Sequence, residues 1–367
     1  MSSAGLLPGC LAAAVLVSAC SGEPAAGAES APDAAADGSS AADPMDQVDF
    51  LVADEYDPYP VVESQLPLFA SHPRAGLCQA IHPADPDSPE LEHLLRAADA
   101  QGIAVVAWLL LPTEQGYWFG EDNLAQARTR TIAFLDWVES KSIPLRWVMF
   151  DMEMTLQKTL SLQDGDLYGT VLPLLGANRD PAMYQKSKAG YRELVMQVQA
   201  RGFRVAAAAY PFVLDDMADG DDDIQDAVDT PIVGVPFDEV WFMTYRTSFR
   251  PLVGATPGPE IVYQYAREGL QRFGNKASVS AGVIGGSGME GEQGFATPAE
   301  LAIDIGAGRA GGSPRTFVFS LDGMLQVGEP AGWMATASTG PSIPAPDDTT
   351  AAARARFAEL DSLLGTR

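Results

Sequence analysis

The chain contains 367 residues with a formal net charge of −26 at pH 7, a length that suits two average domains or one large α/β barrel of roughly 250 residues. This acidic balance, without a cluster of Lys and Arg, argues strongly against a nucleic-acid partner because phosphate binding needs concentrated positive charge. Three cysteines and three histidines, without an HxH or HExxH pattern, argue against a disulfide framework and a catalytic zinc, so we predict no metal and no cofactor.

The first 20 residues have the pattern of a secretory leader. Residues 6–19 are small and apolar, and this stretch is too short to span a bilayer. The ending Val17-Ser18-Ala19-Cys20 resembles a bacterial lipobox, which implies a lipid anchor at Cys20 and a place in the bacterial cell envelope. One departure is that residues 1–5 contain no Lys or Arg. The alternative is that Cys20 is an ordinary residue of a cleaved leader.

Residues 21–45 consist mainly of Ala, Ser, Gly, Pro, Asp and Glu and contain no aromatic side chain. Such a segment cannot bury enough apolar surface to offset the entropy that ordering would cost. We therefore predict a disordered tether here, followed by a single folded domain over residues 46–367.

Beyond residue 46, short apolar runs alternate with longer segments of helical periodicity. Leu91, Leu94, Leu95 and Ala98, for example, have the i, i+3, i+4, i+7 spacing of an amphipathic helix. The sequence Thr297-Pro298-Ala299-Glu300 has the spacing of a capping box with Pro at the first helical position, and a last helix is expected over 349–364. The predicted strands are 48–53, 75–81, 104–110, 146–152, 204–210, 239–244, 277–283 and 315–321.

Eight strands that alternate with helices favour an α/β fold of the (β/α)8 TIM-barrel type over an open doubly wound sheet. The weakest elements are the first helix, which Pro60 and Pro67 are expected to break, and the short fifth crossover after Asp215. The open sheet is the alternative, but the sequence lacks the glycine-rich phosphate loop that opens a helix in such folds. In a barrel, active residues lie at the carboxyl ends of the strands.

The fourth predicted strand ends in two carboxylates, Asp151 and Glu153. Alternate residues of a strand share a face, so both side chains enter one cavity, roughly 6–7 Å apart along the strand. Isolated carboxylates are costly to bury, so the pair indicates bound partners, shifted pKa values or catalysis.

Three short segments follow predicted strands four, six and eight, namely Phe150-Asp151-Met152-Glu153, Met243-Thr244-Tyr245 and Phe319-Ser320-Leu321-Asp322-Gly323. Together they resemble the glycoside hydrolase family 18, chitinase-like barrels. The resemblance covers these segments and the order of elements over roughly residues 48–325.

The sequence also departs from the family pattern. Arg146 and Met149 stand where the family has Asp residues, Arg246 replaces an Asp after strand six, and Phe319 replaces a Trp. The Ser-Gly-Gly signature of strand three is missing at residues 108–112. These departures concern recognition of an N-acetyl group more than they concern the fold.

The resemblance implies that Glu153 is the general acid and base. It also implies that Asp151 orients a substrate acetamido group as internal nucleophile in a retaining reaction, with Tyr245 donating a hydrogen bond to that group. Without an acetamido sugar, another carboxylate must act as nucleophile or base. The carboxylates near predicted strand ends are Asp54, Glu55, Asp215 and Asp322.

The predicted substrate site includes a residue for sugar stacking, Trp118, in the loop after strand three. Arg246 is expected to pair with Asp151 or to face an acidic substituent on the sugar. The substrate-binding candidates are Trp118, Arg246, Phe319, Asp322, Glu55 and Tyr210.

An acidic run over residues 215–223 invites comparison with a calcium loop. It lacks the Gly and the Glu that an EF-hand loop requires at its sixth and twelfth positions, so we predict a solvated acidic loop instead.

Together these patterns predict an envelope-anchored glycosidase that acts on a polysaccharide or amino-sugar polymer. The alternative is a catalytically inactive, carbohydrate-binding or scaffold lipoprotein in which Asp151 and Glu153 form a structural network with Arg246 and Tyr245. A third possibility is a barrel hydrolase that does not act on glycosides.

Overall fold

The computed structural model describes residues 43–84, 88–163, 167–218, 220–250, 254–286 and 294–365. Eight parallel strands, paired in sequence order, close into a barrel through the pairing of the last strand with the first. This confirms the predicted (β/α)8 TIM barrel. The predicted leader and most of the predicted tether lie outside the described residues.

The strands lie where the alternation of apolar runs predicted them, and no boundary differs by more than two residues. They are β1 (Phe50–Asp54), β2 (Ala75–Ile81), β3 (Val105–Leu109), β4 (Trp147–Met152), β5 (Arg204–Ala209), β6 (Glu239–Met243), β7 (Ala277–Gly282) and β8 (Thr316–Phe319).

Helices of very different lengths connect the strands. In the described part of the chain, no helix has the length and hydropathy needed to cross a bilayer. The α-helices are Tyr59–Ala70, Pro89–Ala100, Leu124–Ser140, Leu156–Gln163, Leu172–Asn178, Pro181–Ala200, Val213–Asp216, Asp223–Ala227, Glu260–Phe273, Pro298–Ala310, Leu321–Val327, Pro330–Met334 and Asp348–Gly365. Short 3-10 helices cover Pro44–Gln47, Thr113–Gln115, Glu121–Asn123, Arg246–Phe249, Gly274–Lys276 and Ala335–Ser338, and Leu167–Val171 forms a π-helical turn.

Local sequence signals explain several helix boundaries. The predicted capping box is present, because Glu300 Oε2 accepts the backbone N–H groups of Ala296 and Thr297, each at 2.8 Å. The first helix, Tyr59–Ala70, tolerates Pro60 in its first turn, where the backbone N–H needs no partner. Pro67 lies inside that helix, which ends three residues later.

Alternate residues of each strand separate two apolar layers. On β4, Trp147 and Met149 belong to the cluster that fills the barrel, whereas Val148, Phe150 and Met152 pack against the surrounding helices. Because side chains alternate along a strand with a period of two, the sequence predicted that Asp151 and Glu153 share the inner face of the barrel.

A short segment closes the amino-terminal end of the barrel. Met45, 1% exposed, packs into the interior cluster, and Arg315 donates to the Met45 and Val48 carbonyl oxygens at 2.7 and 2.9 Å. Asp43 accepts the indole N–H of Trp147 at 2.9 Å. The predicted boundary between tether and domain at residues 45 and 46 therefore falls inside the helical turn Pro44–Gln47.

Replacing Met45 by alanine is expected to lower the free energy of unfolding by about 2 kcal/mol. This value is at the lower end for Met→Ala because a terminal segment can partly collapse onto the void. Urea unfolding followed by circular dichroism measures the change, with Met196→Ala on an exposed helix surface as control. Equal stability of the two variants would contradict this role of Met45.

The carboxyl-terminal helix covers the short fifth crossover. Between β5 and β6 the described chain forms the brief helices Val213–Asp216 and Asp223–Ala227, and Asp348–Gly365 packs against both. Its Phe357 stacks on Phe212 with ring centroids 5.1 Å apart. The late helix thus supplies the apolar cover that a long crossover helix gives elsewhere in the barrel.

The start of the acidic run at residues 215–223 is buried under this helix, so the prediction of a solvated loop is wrong there. Asp215 accepts hydrogen bonds from Arg354 and Tyr265, each at 2.8 Å. Asp216 is fully buried and accepts the Ile224 backbone N–H at 2.8 Å. Arg354 on the late helix supplies a counter-charge to Asp215 from 139 residues away, and a local pattern does not reveal such a partner.

Candidate active site

The carboxyl ends of the strands surround a cavity of about 290 Å3. Its wall is mostly apolar, and its ionisable carboxylates among the described residues are Glu55, Asp151 and Glu153. Aromatic side chains form much of the remainder, namely Tyr56, Trp108, Trp118, Tyr210, Phe212, Tyr245, Phe249, Phe317 and Phe319. A mostly apolar cavity with a few convergent polar groups is the usual form of a small-molecule site.

The loop that follows β3 holds the end of β4, where Asp151 and Glu153 lie. Phe119 donates its backbone N–H to the Asp151 carbonyl at 2.8 Å and accepts the Glu153 N–H at 3.0 Å. Gly120 comes so close that a Cβ there would lie 2.7 Å from the Glu153 carbonyl oxygen. Glycine at this position therefore allows the loop to fix the backbone from which Glu153 projects.

Asp151 is 3% exposed, whereas Glu153 is half-buried. Burial raises the pKa of Asp151 well above its usual range, and the negative charges of Glu153 and Glu55 raise it further. The Trp108 indole is near enough to favour the charged form slightly, but its N–H does not make a hydrogen bond with any described residue. The Asp151 Oδ1 atom also has no hydrogen-bond partner among the described residues.

Glu55 follows β1 and is 4% exposed. Burial raises its pKa to about 8, although the hydroxyl of Tyr117, which donates to Glu55 Oε1 at 2.6 Å, favours the charged form. The charges of Asp322 and Glu153 contribute to the increase. Glu55 therefore faces the same cavity as the acidic pair of β4 from a different strand.

Four aromatic candidates from the sequence analysis line the cavity, in two groups. Phe319 lies between Tyr245 and Trp108, with ring centroids 6.1 and 6.2 Å away. Tyr210 stacks on Phe212 at 4.9 Å, and burial with the nearby negative charge of Glu153 raises the pKa of the Tyr210 hydroxyl. Trp118, the fourth candidate, lines the cavity and is partly exposed.

Arg246 does not line the cavity, and its predicted contact with Asp151 is wrong. Its Nε donates to both carboxylate oxygens of Asp304 at 2.8 and 2.9 Å, and its Nη1 donates to the Pro257 carbonyl at 2.8 Å. Asp304 is fully buried on the helix Pro298–Ala310. A buried carboxylate needs such a counter-charge, and the guanidinium is therefore held by Asp304 and does not line the cavity.

The remaining acidic candidates also have partners outside the cavity. Asp322 lies in the first turn of the helix Leu321–Val327 and accepts the Glu55 backbone N–H at 3.4 Å. Asp54 accepts the Gln79 side-chain amide at 2.9 Å, and Asp215 is held by Arg354. The structure therefore brings Glu55, and not these three residues, to the cavity that Glu153 lines.

Three residues of this site were not predicted from the sequence. Trp108 is at the inner-facing end of β3, Tyr56 follows Glu55 on the cavity wall, and Tyr117 holds the Glu55 carboxylate. An aromatic residue at an inner position near a carboxyl strand end was the available signal for Trp108. The contact of Tyr117 with Glu55 joins residues 62 positions apart and has no local signal.

Comparisons with solved structures give distant similarities only. The chain is similar to the spore cortex-lytic enzyme SleL of Bacillus megaterium QM B1551 at 14% identity and a TM-score of 0.46, over 81% of this chain and 75% of that one. It is also similar to a β-glucosidase from Thermotoga maritima, at 12% identity and a TM-score of 0.45, over 72% of this chain and 77% of that one. A third similar structure is a D-psicose 3-epimerase, at 12% identity and a TM-score of 0.43, over 87% of this chain and 100% of that one.

These similarities carry no argument about this chain's reaction, because barrels of one architecture host different chemistries. No protein-family model and no curated protein sequence matches the chain.

Buried acids with raised pKa values predict that the protein is more stable in mild acid than at slightly alkaline pH. The folded chain binds more protons than the unfolded chain between the ordinary carboxyl pKa near 4 and the raised values, so stability falls as pH rises through this window. Burial is the first cause for each group. These pKa values are about 8 for Asp54, Glu55 and Glu121, about 7 for Asp216, and about 6 for Asp215, Asp229 and Asp304.

Differential scanning calorimetry at pH values near 5 and 8 tests this expectation, with a higher Tm expected near pH 5. The Glu55→Gln variant should show a smaller difference because it lacks one of the raised groups. A Tm that climbs steadily from pH 5 to 8 would contradict the assignment.

Proposed function

We propose that this protein is a glycoside hydrolase that cleaves a polysaccharide or amino-sugar polymer, with Glu153 as general acid and base. The observation that carries the proposal is the position of Glu153. It is a partly exposed carboxylate at the carboxyl end of β4, on the wall of an aromatic cavity and next to the buried Asp151. Aromatic faces suit the apolar faces of sugar rings, and carboxylates suit the proton transfers of glycoside cleavage.

The acidic pair offers a proton near neutral pH. Two neighbouring carboxylates in a dry site do not both ionise easily, so the pair retains one proton above the usual carboxyl pKa. In the proposed reaction, Glu153 delivers this proton to the glycosidic oxygen because it is the more exposed member of the pair. Asp151 stabilises the positive charge that develops on the sugar.

Two schemes then complete the substitution at the anomeric carbon. With an acetamido sugar, Asp151 and Tyr245 would orient the acetamido oxygen, which attacks the anomeric carbon as the leaving group departs, as the resemblance to family 18 implies. Water, deprotonated by Glu153, then opens the resulting cyclic intermediate. With any other sugar, Glu55 is the further carboxylate of the described cavity wall that can act as nucleophile or activate water. The convergence of Glu153, Tyr245 and Phe319 on one cavity supports the use of all three family-like segments.

A glycan panel tests the proposal. Purified wild-type protein and Glu153→Gln are incubated with polysaccharides and amino-sugar polymers, and new reducing ends are measured. Release by the wild type that is lost in the variant supports the proposal. Release that persists in Glu153→Gln would refute the assignment of Glu153, and binding without any release would favour the inactive, carbohydrate-binding alternative.

We also propose that a lipid on Cys20 anchors the protein in the cell envelope, on the strength of the Val17-Ser18-Ala19-Cys20 sequence. In a bacterial host fed a labelled fatty acid, the wild type should carry the label and partition with membranes. Cys20→Ala should carry no label and should leave the membrane fraction. A labelled Cys20→Ala protein would show that the anchor is elsewhere.

A further inference from the structure

The cavity wall is rich in carboxyl groups. Glu55, Asp151 and Glu153 line it, and no Lys, Arg or His is among the described lining residues. Nor does the sequence place a cation in the segments outside the description that interrupt the barrel, because residues 85–87, 164–166, 219, 251–253 and 287–293 contain no Lys, Arg or His. These segments therefore cannot provide a positive charge to the cavity.

Three cations on neighbouring elements have other partners. Arg246 is bound to Asp304, Lys158 pairs with Asp122 and Asp229, and Arg130 donates to backbone carbonyls at the ends of β2 and β3. Each is held by groups outside the cavity wall. None of these three cations lines the cavity, so an ammonium group that enters it meets the carboxyl groups of Glu55 and Asp151 and can favour their ionised forms.

A second observation points to a ligand that donates hydrogen bonds. Asp151 is 3% exposed and lines the cavity, yet its Oδ1 atom has no partner among the described residues. A buried acceptor without a donor is costly, and a neutral apolar ligand would leave that cost in place. An anionic ligand would add repulsion.

We infer that the cavity binds a sugar carrying a protonated primary amine, such as a 2-amino-2-deoxy pyranose without its N-acetyl group, with Asp151 and Glu55 as the acceptors for the ammonium. The sugar part of this inference rests on the proposed function. Charge-assisted hydrogen bonds to the two carboxylates, and the faces of Trp108 and Phe319, suit an ammonium better than a neutral amide. A free amine has no carbonyl oxygen, so Asp151 would hold the ammonium instead of orienting an acetamido group.

Binding measurements with the Glu153→Gln protein test this inference without requiring turnover. The probes are three β-1,4-linked tetrasaccharides, of glucosamine, of N-acetylglucosamine and of glucose, titrated calorimetrically at about pH 6, where an amine is protonated. We expect the glucosamine tetramer to bind at least about tenfold more tightly than either neutral tetramer. Equal or tighter binding of a neutral tetramer, or binding of none of the three, would overturn the inference.

A matched control separates the cavity from the general negative charge of the protein. In the same Glu153→Gln background, Glu55→Gln should remove most of the preference, whereas Glu193→Gln removes one charge from an exposed helix position and should leave the preference unchanged. Equal losses in the two variants would show that surface charge attracts the probe, and would overturn the inference.

Two separate measurements distinguish a failure of the ammonium inference from a failure of the proposed glycosidase reaction. If the Glu55→Gln side chain disturbs folding, the comparison of the three tetramers on the parent protein still decides the question. Hydrolysis by the wild type tests the proposed glycosidase reaction, and the preference among tetramers tests the ammonium site, so either result can fail while the other stands.

Discussion

Replacing Glu153 by glutamine is expected to lower kcat on the best natural glycan by about 100-fold to 10,000-fold, the usual contribution of a positioned general acid and base. Glutamine keeps the size of the side chain and its hydrogen-bonding capacity, but it has no proton to deliver to the glycosidic oxygen. Because binding uses other parts of the wall, KM should change much less than kcat.

The dependence on the leaving group makes this test specific for acid catalysis. An aryl glycoside with an acidic phenol as leaving group needs little protonation, so Glu153→Gln should lose far less activity in its cleavage wherever bond cleavage limits the rate. The control is Glu114→Gln, which removes the same charge from an exposed side chain on the turn Thr113–Gln115. An equal loss on both substrates would indicate that Glu153 has a structural role.

Replacing Arg246 by methionine is expected to lower the free energy of unfolding by about 3–5 kcal/mol near neutral pH. The change removes the partner of Asp304, whose side chain is fully buried, while a flexible apolar chain keeps much of the packing volume. Burial already raises the pKa of Asp304 to about 6 in the presence of Arg246. Without the guanidinium this pKa should rise further.

The pH dependence of the stability of Arg246→Met follows from this further increase in the pKa of Asp304. A carboxyl with a raised pKa in the folded state costs stability as pH rises through the window between its unfolded and folded values, so the loss in Arg246→Met should be larger near pH 8 than near pH 5. Adding Asp304→Asn should recover part of the stability because it removes the uncompensated charge.

Urea unfolding of the single and double variants measures these differences. Arg96→Met is the control, since Arg96 and Glu92 form an exposed i,i+4 pair whose loss should cost less than about 1 kcal/mol. A cost for Arg246→Met as small as that of the control would refute the structural role of the Arg246–Asp304 pair.

The barrel was predictable because local signals repeat along the chain. Runs such as β2 contain residues that are buried on both faces, and the helix Pro298–Ala310 begins at a capping box that the sequence displays. The first helix shows the limit of this reasoning. Pro67 predicted a break, yet packing of Leu66 and Phe69 against the sheet holds that turn in place.

The sequence by itself determined the order of strands and helices, the inner face of β4, and the placing of Asp151 and Glu153 at the carboxyl end of the barrel. These properties depend on residues a few positions apart, whose periodicity of two or 3.6 is set by the backbone.

Only the tertiary structure decided which side chains share the cavity. Barrel closure brings Glu55 to Tyr117 and to the acidic pair of β4, while the burial of Asp304 draws Arg246 away from it. Partners 58 or 62 residues apart are selected by packing and by the need to balance a buried charge. No local pattern contains that information, because the energy of each pair depends on the dielectric and the neighbours that folding creates.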